Sequence, residues 1–244
     1  MIWHPEQEDM WRGQDVYVLG GGASLKQYSK ALLKKRLRTE NVIGCNDCYL
    51  LGDSVVNILH FGDRKWYKAH AEEIPKHFHG LITTSKECFR HLNTLFWIPR
   101  RPEGFHKNAL GWNRNTGAGA INLALILGAR RVFLLGFDMD LSPTGEGNWY
   151  ENKVDKPDAK RLSRFAGAIA ACIPSLKKNF PGVQIINLNL HSKLDCFQKM
   201  DWEMLFEEAE GQPTIGLEAV SAPDPCNHLT EDFNASTTVP TGDE

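Results

Sequence analysis

Polar residues gather where apolar runs of this sequence end, and their types suit the handling of phosphate and of hydroxyl protons. Gly21, Gly22 and Ser24 follow the run Asp15–Gly20. Asn46 follows Asn41–Cys45, and Asp63 follows Val55–Phe61. Asp138 and Asp140 follow Arg131-Val132-Phe133-Leu134-Leu135-Gly136. A glycine turn ahead of a helix lets an anion approach main-chain N–H groups, and a carboxylate at such a place takes a proton or holds a metal. Asn115-Thr116-Gly117 stands before the apolar stretch 118–128 and offers a second helix start of that kind. Asn189, His191 and Ser192 follow Val183–Leu188. Taken singly, each of these is equally a turn or a helix cap. The glycine turn at 20–22 has neither the GK[ST] of a P-loop nor a full GxGxxG.

These positions imply the elements that would carry them. Ala118, Ile121, Leu125 and Gly128 recur at helical spacing, and the residues between them leave little of that helix for solvent. The short, continuous run 131–136 suits a parallel strand covered on both faces. Further strands are predicted at 15–20, 41–45, 55–61, 81–84, 94–98 and 183–188, and helices at 24–35, 65–73, 160–178 and 201–210. The alternation points to an α/β, Rossmann-like fold, a mostly parallel sheet with helices on both faces, whose ligands sit beyond the carboxyl ends of the strands. Ser142–Asp158 is too rich in Gly, Pro and polar residues for core and reads as a lid, in which Trp149 and Tyr150 stack on a base or sugar, or else pin the loop. Pro99–Asn113 is a basic loop bordering the same rim.

The 244 residues, 42% hydrophobic, suffice for one core with a small appendage. The expected layout is an N-terminal arm over 1–14, a nucleotide- or nucleotide-sugar-binding domain over 15–210, and a disordered acidic tail over 211–244. No apolar run approaches the roughly 20 residues of a membrane span. Six scattered cysteines suit reduced thiols, so a cytoplasmic protein is expected. Cys45 and Cys48 form a CxxC pair, but no second such pair completes a four-ligand zinc site, and His70, His77 and His79 lack an accompanying Cys or carboxylate pattern. No Lys or Arg follows Lys199, whereas 11 of the 30 Asp and Glu do, which leaves a basic body suited to a phosphate-bearing ligand or a polyanionic acceptor.

Five segments taken in order, VLGGGASL (18–25), IGCNDCYLLG (43–52), HFGDRKWY (60–67), NTGAGAINLALILGARRVFLLGFDMD (115–140) and INLNLHSKL (186–194), resemble the DUF115 or MptE-like group, related to the family 42 bacterial sialyltransferases. Compact chains of this kind also look like bacteriophage-encoded ones, for which the host cytoplasm is the compartment. The sialyltransferase likeness implies a metal-independent, inverting transfer from a CMP-sugar to an acceptor hydroxyl, with Gly21, Gly22, Ser24, Asn46, Asp63, Asn115, Thr116 and Gly117 around the nucleotide. The pattern departs at Gly21 and Asp63, where those enzymes have Asn, and in its general base, since no histidine lies between Gly136 and Leu190. Asp63, Asp138 and His191 are the replacements considered. The MptE-like members imply instead an ATP-dependent diphosphokinase, with Mg²⁺ held by Asp138 and Asp140. A nucleotide-binding protein without turnover is a third reading. The acceptor, nucleic acid among the possibilities, and the oligomeric state stay open.

Overall fold

The structure, a computed structural model, describes residues 10–111, 113–151 and 156–209. Most of the expected arm and the whole acidic tail lie outside that range. Of the arm, Trp11 is buried, its amide donating to the Leu127 carbonyl at 2.7 Å.

Among the described residues ten strands and six α-helices follow in order: β1 Asp15–Leu19, α1 Lys30–Leu37, β2 Asn41–Cys45, β3 Ile58–Phe61, α2 Arg64–His70, β4 Leu81–Thr84, β5 Phe96–Trp97, β6 Arg100–Arg101, β7 Leu110–Gly111, α3 Thr116–Ile126, β8 Arg131–Leu135, α4 Ala159–Ala170, α5 Ile173–Asn179, β9 Gln184–Asn187, β10 Gln198–Lys199 and α6 Trp202–Ala209. Eight strands form one wholly parallel sheet in the order β10-β9-β8-β1-β2-β3-β4-β5, while β6 and β7 pair beside it. Connections leave β1 one way towards β2–β5, and β8–β10 build the other way, so the topological switch lies between β1 and β8.

Alternation along β1 shows the layering. Val16 and Val18 join the core formed with Ala118, Ile121 and Leu125 of α3, Ile169 of α4 and Leu176 of α5. Tyr17 and Leu19 join the opposite core, with Leu33 and Leu37 of α1, Trp66 of α2 and Trp202 of α6. The sheet is thus covered on both faces, the arrangement its apolar strands require. From Ala118 to Ile126 every residue of α3 is buried. One of them is polar: Asn122 Oδ1 accepts from the amides of His106 and Gly111, and its Nδ2 donates to the His106 carbonyl. This staples the basic loop to α3.

Two helices differ from expectation. The stretch 24–35 is no single helix: Ala23–Gln27 is a 3₁₀ turn, and α1 starts afresh at Lys30, where the Ser29 hydroxyl accepts from the Leu32 amide at 3.1 Å. The stretch 160–178 divides at Ala171–Cys172, because Pro174 has no N–H to continue the ladder and instead sits in the first turn of α5. Among the described residues no helix is long and apolar enough to cross a membrane.

Candidate functional site

A cleft of about 360 Å³ lies beyond the carboxyl ends of β2, β3 and β4, where α3 begins. It takes Asn46 from the end of β2, Asp63 from the end of β3, Lys86 from the end of β4, and Asn115, Thr116 and Gly117 from the start of α3. Tyr150, Arg161 and Phe165 close its outer side.

The anion-binding character is local to α3. The first amides of a helix lack intrahelical acceptors. Asn115 Oδ1 satisfies that of Ala118 at 3.2 Å, which leaves those of Thr116 and Gly117 at the cleft without an acceptor among the described residues. A side chain on Gly117 would collide with Phe137, 2.7 Å from the added carbon, so the glycine permits the close packing that brings this turn to the cleft. Arg114, held in the left-handed region at φ 50°, precedes the turn. With Lys86 and Arg161 it places three cations in the lining. Burial, then the charge of Arg100, holds the Lys86 ammonium below its usual pKa, while Asp63 opposes the shift.

Asp63 faces this basic wall. Its Oδ1 caps α2, accepting from the amides of Lys65 and Trp66 at 2.6 and 3.0 Å. A second carboxylate, Asp47, lies buried behind the cleft, where Trp66 Nε1 donates to its Oδ2 at 2.7 Å and the Tyr150 hydroxyl bonds to it. Burial raises the Asp47 pKa, and burial together with the Asp47 charge pushes the Tyr150 phenol up. Asp47 thereby ties one residue of the 142–158 loop to the rim.

The glycine turn after β1 is not part of the cleft. The Ser24 amide and hydroxyl donate to the Asp138 carboxylate at 2.7 and 2.5 Å, and Asn189 Nδ2 donates to the same group at 3.0 Å. A carbon added at Gly22 would lie 2.6 Å from the Asp138 carboxylate. Above the turn, Trp149 donates from its amide to the Gly21 carbonyl and from Nε1 to the Gly20 carbonyl. The close approach that these glycines permit is to their own chain, and an internal carboxylate occupies the place where the sequence suggests a phosphate.

The structure therefore brings together Asn46, Asp63, Asn115, Thr116, Gly117 and Tyr150, with Gly21 bordering them beside Tyr150. It sets Gly22, Ser24 and Asp138 apart at the β1–β8 crevice. Asp140 Oδ1 accepts from the Leu141 amide, and His191 is exposed with its amide on Asn189 Oδ1. Neither lines the cleft. Among the described residues no three His, Cys, Asp or Glu side chains form a metal-binding group, and the Asp138 carboxylate already accepts from three donors. Cys45 and Cys48 are buried free thiols, raised in pKa by burial.

Sequence reasoning missed His60, Lys86, Arg114 and Arg161. A histidine inside the apolar run 55–61 was the one available signal.

No family model matches the chain, and no curated protein matches it. Among solved structures, the C-domain of a bacterial malonyl-CoA reductase, crystallised with NADP, is similar at 12% identity with a TM-score of 0.23, over 83% of this chain and 32% of that one. The chain spans about a third of that neighbour's length, and at this TM-score the likeness carries no argument about fold or ligand.

Proposed function

We propose that the protein is a nucleotide-sugar-dependent glycosyltransferase whose donor phosphate binds at the start of α3. The observation that carries this reading is the sharing of one cleft by two acceptorless helix amides, three cations and one carboxylate. The Thr116 and Gly117 amides, Arg114, Arg161 and Lys86 hold the phosphate, where the positive end of the helix favours negative charge. Tyr150 closes over the nucleotide. Asp63, whose Oδ1 is committed to α2, uses Oδ2 to take the proton of the acceptor hydroxyl. The acceptor oxygen then bonds to the sugar's anomeric carbon from the opposite side, and the bond from that carbon to the phosphate oxygen breaks. The departing electron pair, and the charge with it, collects on the phosphate held at α3.

The test is a thermal-shift screen of CMP, UMP, GMP and ATP with and without Mg²⁺, followed by NMR of the matching nucleotide-sugar with the protein. A ligand at 100 times its dissociation constant adds about 2.7 kcal/mol. Stabilisation without metal and release of free nucleotide support the proposal. Stabilisation by ATP with Mg²⁺ alone would replace it with diphosphate transfer, and nucleotide retained without turnover would replace it with a binding protein.

A further inference from the structure

The floor of the cleft differs in chemistry from its walls. His60, on β3, is 1% exposed, and its Nδ1 lies 3.0 Å from Thr83 Oγ1. The Thr83 hydroxyl itself donates to the Leu59 carbonyl at 3.3 Å, so its oxygen receives the Nδ1 proton and Nε2 is left with a lone pair. Burial lowers the pKa of this imidazole to about 4, so the ring is neutral at physiological pH. Nε2 lies against Gly119, where an added carbon would come within 2.7 Å of it, and both residues line the cleft. The missing side chain is thus what gives the ring edge its room under the first turn of α3.

Asn46 provides a second, independent sign. It stands in the cleft in the left-handed conformation, φ 51°, and its buried Oδ1 has no hydrogen-bond partner among the described residues. A buried acceptor left unpaired is unfavourable and persists where something else satisfies it. Besides its donors, its cations and Asp63, the cleft therefore holds two neutral acceptors, His60 Nε2 and Asn46 Oδ1. Orthophosphate or pyrophosphate satisfies only the first set. A ligand that meets both carries hydroxyl groups close to its phosphate.

We infer that His60 Nε2 and Asn46 Oδ1 form a subsite reading the sugar hydroxyls adjacent to the phosphate held at α3, so that the cleft selects ribonucleotides over 2′,3′-dideoxynucleotides. The inference rests on the nucleotide reading above and adds the ligand chemistry of the floor.

The experiment is calorimetric titration of the full chain, wild type and His60→Phe, with CMP, UMP, GMP and AMP, with their 2′,3′-dideoxy counterparts and with pyrophosphate. Nitrogen-15 NMR of His60 accompanies it. The expected result is a preferred ribonucleotide bound about tenfold or more tighter than its dideoxy counterpart, with that ratio erased in His60→Phe. The nucleotide should also move the Nε2 resonance while Nδ1 keeps its proton, a response that a purely structural histidine does not give. Equal affinity for ribo and dideoxy forms in the wild type would overturn the subsite and leave nucleotide binding intact. Absence of any nucleotide binding would overturn both. Should His60→Phe not fold, an Nε2 resonance unmoved in the saturated wild type would itself decide against the inference.

Discussion

Asp138 closes the turn begun by Ser24: one carboxylate accepts both the amide and the hydroxyl of a residue 114 positions earlier, at 2.7 and 2.5 Å. Adding the bond from Asn189, it receives three donors while lying outside the cleft. Asp138→Asn supplies one oxygen where two are used and turns an N–H₂ towards a donor. The expected loss is about 1–3 kcal/mol of stability, read from urea unfolding, with any surviving folded protein binding nucleotide normally. Unchanged stability together with lost turnover would restore Asp138 as a candidate general base.

Asp63 should behave in the opposite way. Asn caps a helix about as well as Asp, so Asp63→Asn keeps α2 and removes only the proton acceptor. Stability within about 0.5 kcal/mol of wild type and transfer reduced by 10²-fold or more are expected, since general-base assistance typically contributes about 10²–10⁴. Asp63→Ala should cost about 1 kcal/mol of stability besides. Full activity in the Asn variant would remove Asp63 from the mechanism.

Arg114 tests the anion wall at no conformational cost. Its φ of 50° is one that glycine adopts freely, so Arg114→Gly relieves strain while deleting the charge. Nucleotide affinity should fall about tenfold at low salt, with a smaller loss at high salt, while the thermal midpoint holds or rises. Affinity independent of both residue 114 and salt would place the phosphate elsewhere.

His60 gives the fold an acid limb. An imidazole titrates near 6.5 in the unfolded chain, against about 4 for His60 in the folded protein. Between those values the unfolded state binds more protons, so the contribution is complete above about pH 6.5 and is lost as pH falls towards 4. About 2 kcal/mol of an eventual ~3 should be gone by pH 5. Asp47, with its raised pKa, acts in the opposite sense, because it takes up a proton in the fold before the unfolded chain does. Comparing urea midpoints of wild type and His60→Gln at pH 7.5 and 5 isolates the imidazole. An equal acid-side loss in both proteins would show that His60 is not its source.

The α3–β8 unit was legible in the sequence because its apolar residues are continuous and leave no alternative face. The strand ends were legible for the same reason, and Asn46, Asp63 and Asn115–Gly117 do meet at one rim. What failed was the partner of the glycine turn. Gly20–Gly22 announces a close approach but not to what, and the group that fills the space, Asp138, is fixed only by the pairing of β1 with β8. Lys86, Arg114 and Arg161 were invisible as a set, since cations far apart in the chain become neighbours only through the fold. The division of 160–178 was readable from Pro174, whose effect the amphipathic pattern around it masked.

The position of β1 sets an order of events during synthesis. It is a central strand, in register with β2 on one side and with β8 on the other, Asp15 opposite Arg131. At about 5–20 residues per second, β8 leaves the ribosome on the order of ten seconds after β1. Through that interval β1 has only β2 available to it, and its other edge has no partner strand yet made. Closure of the long loop between them comes late, so refolding from denaturant is expected to be slow and concentration-sensitive.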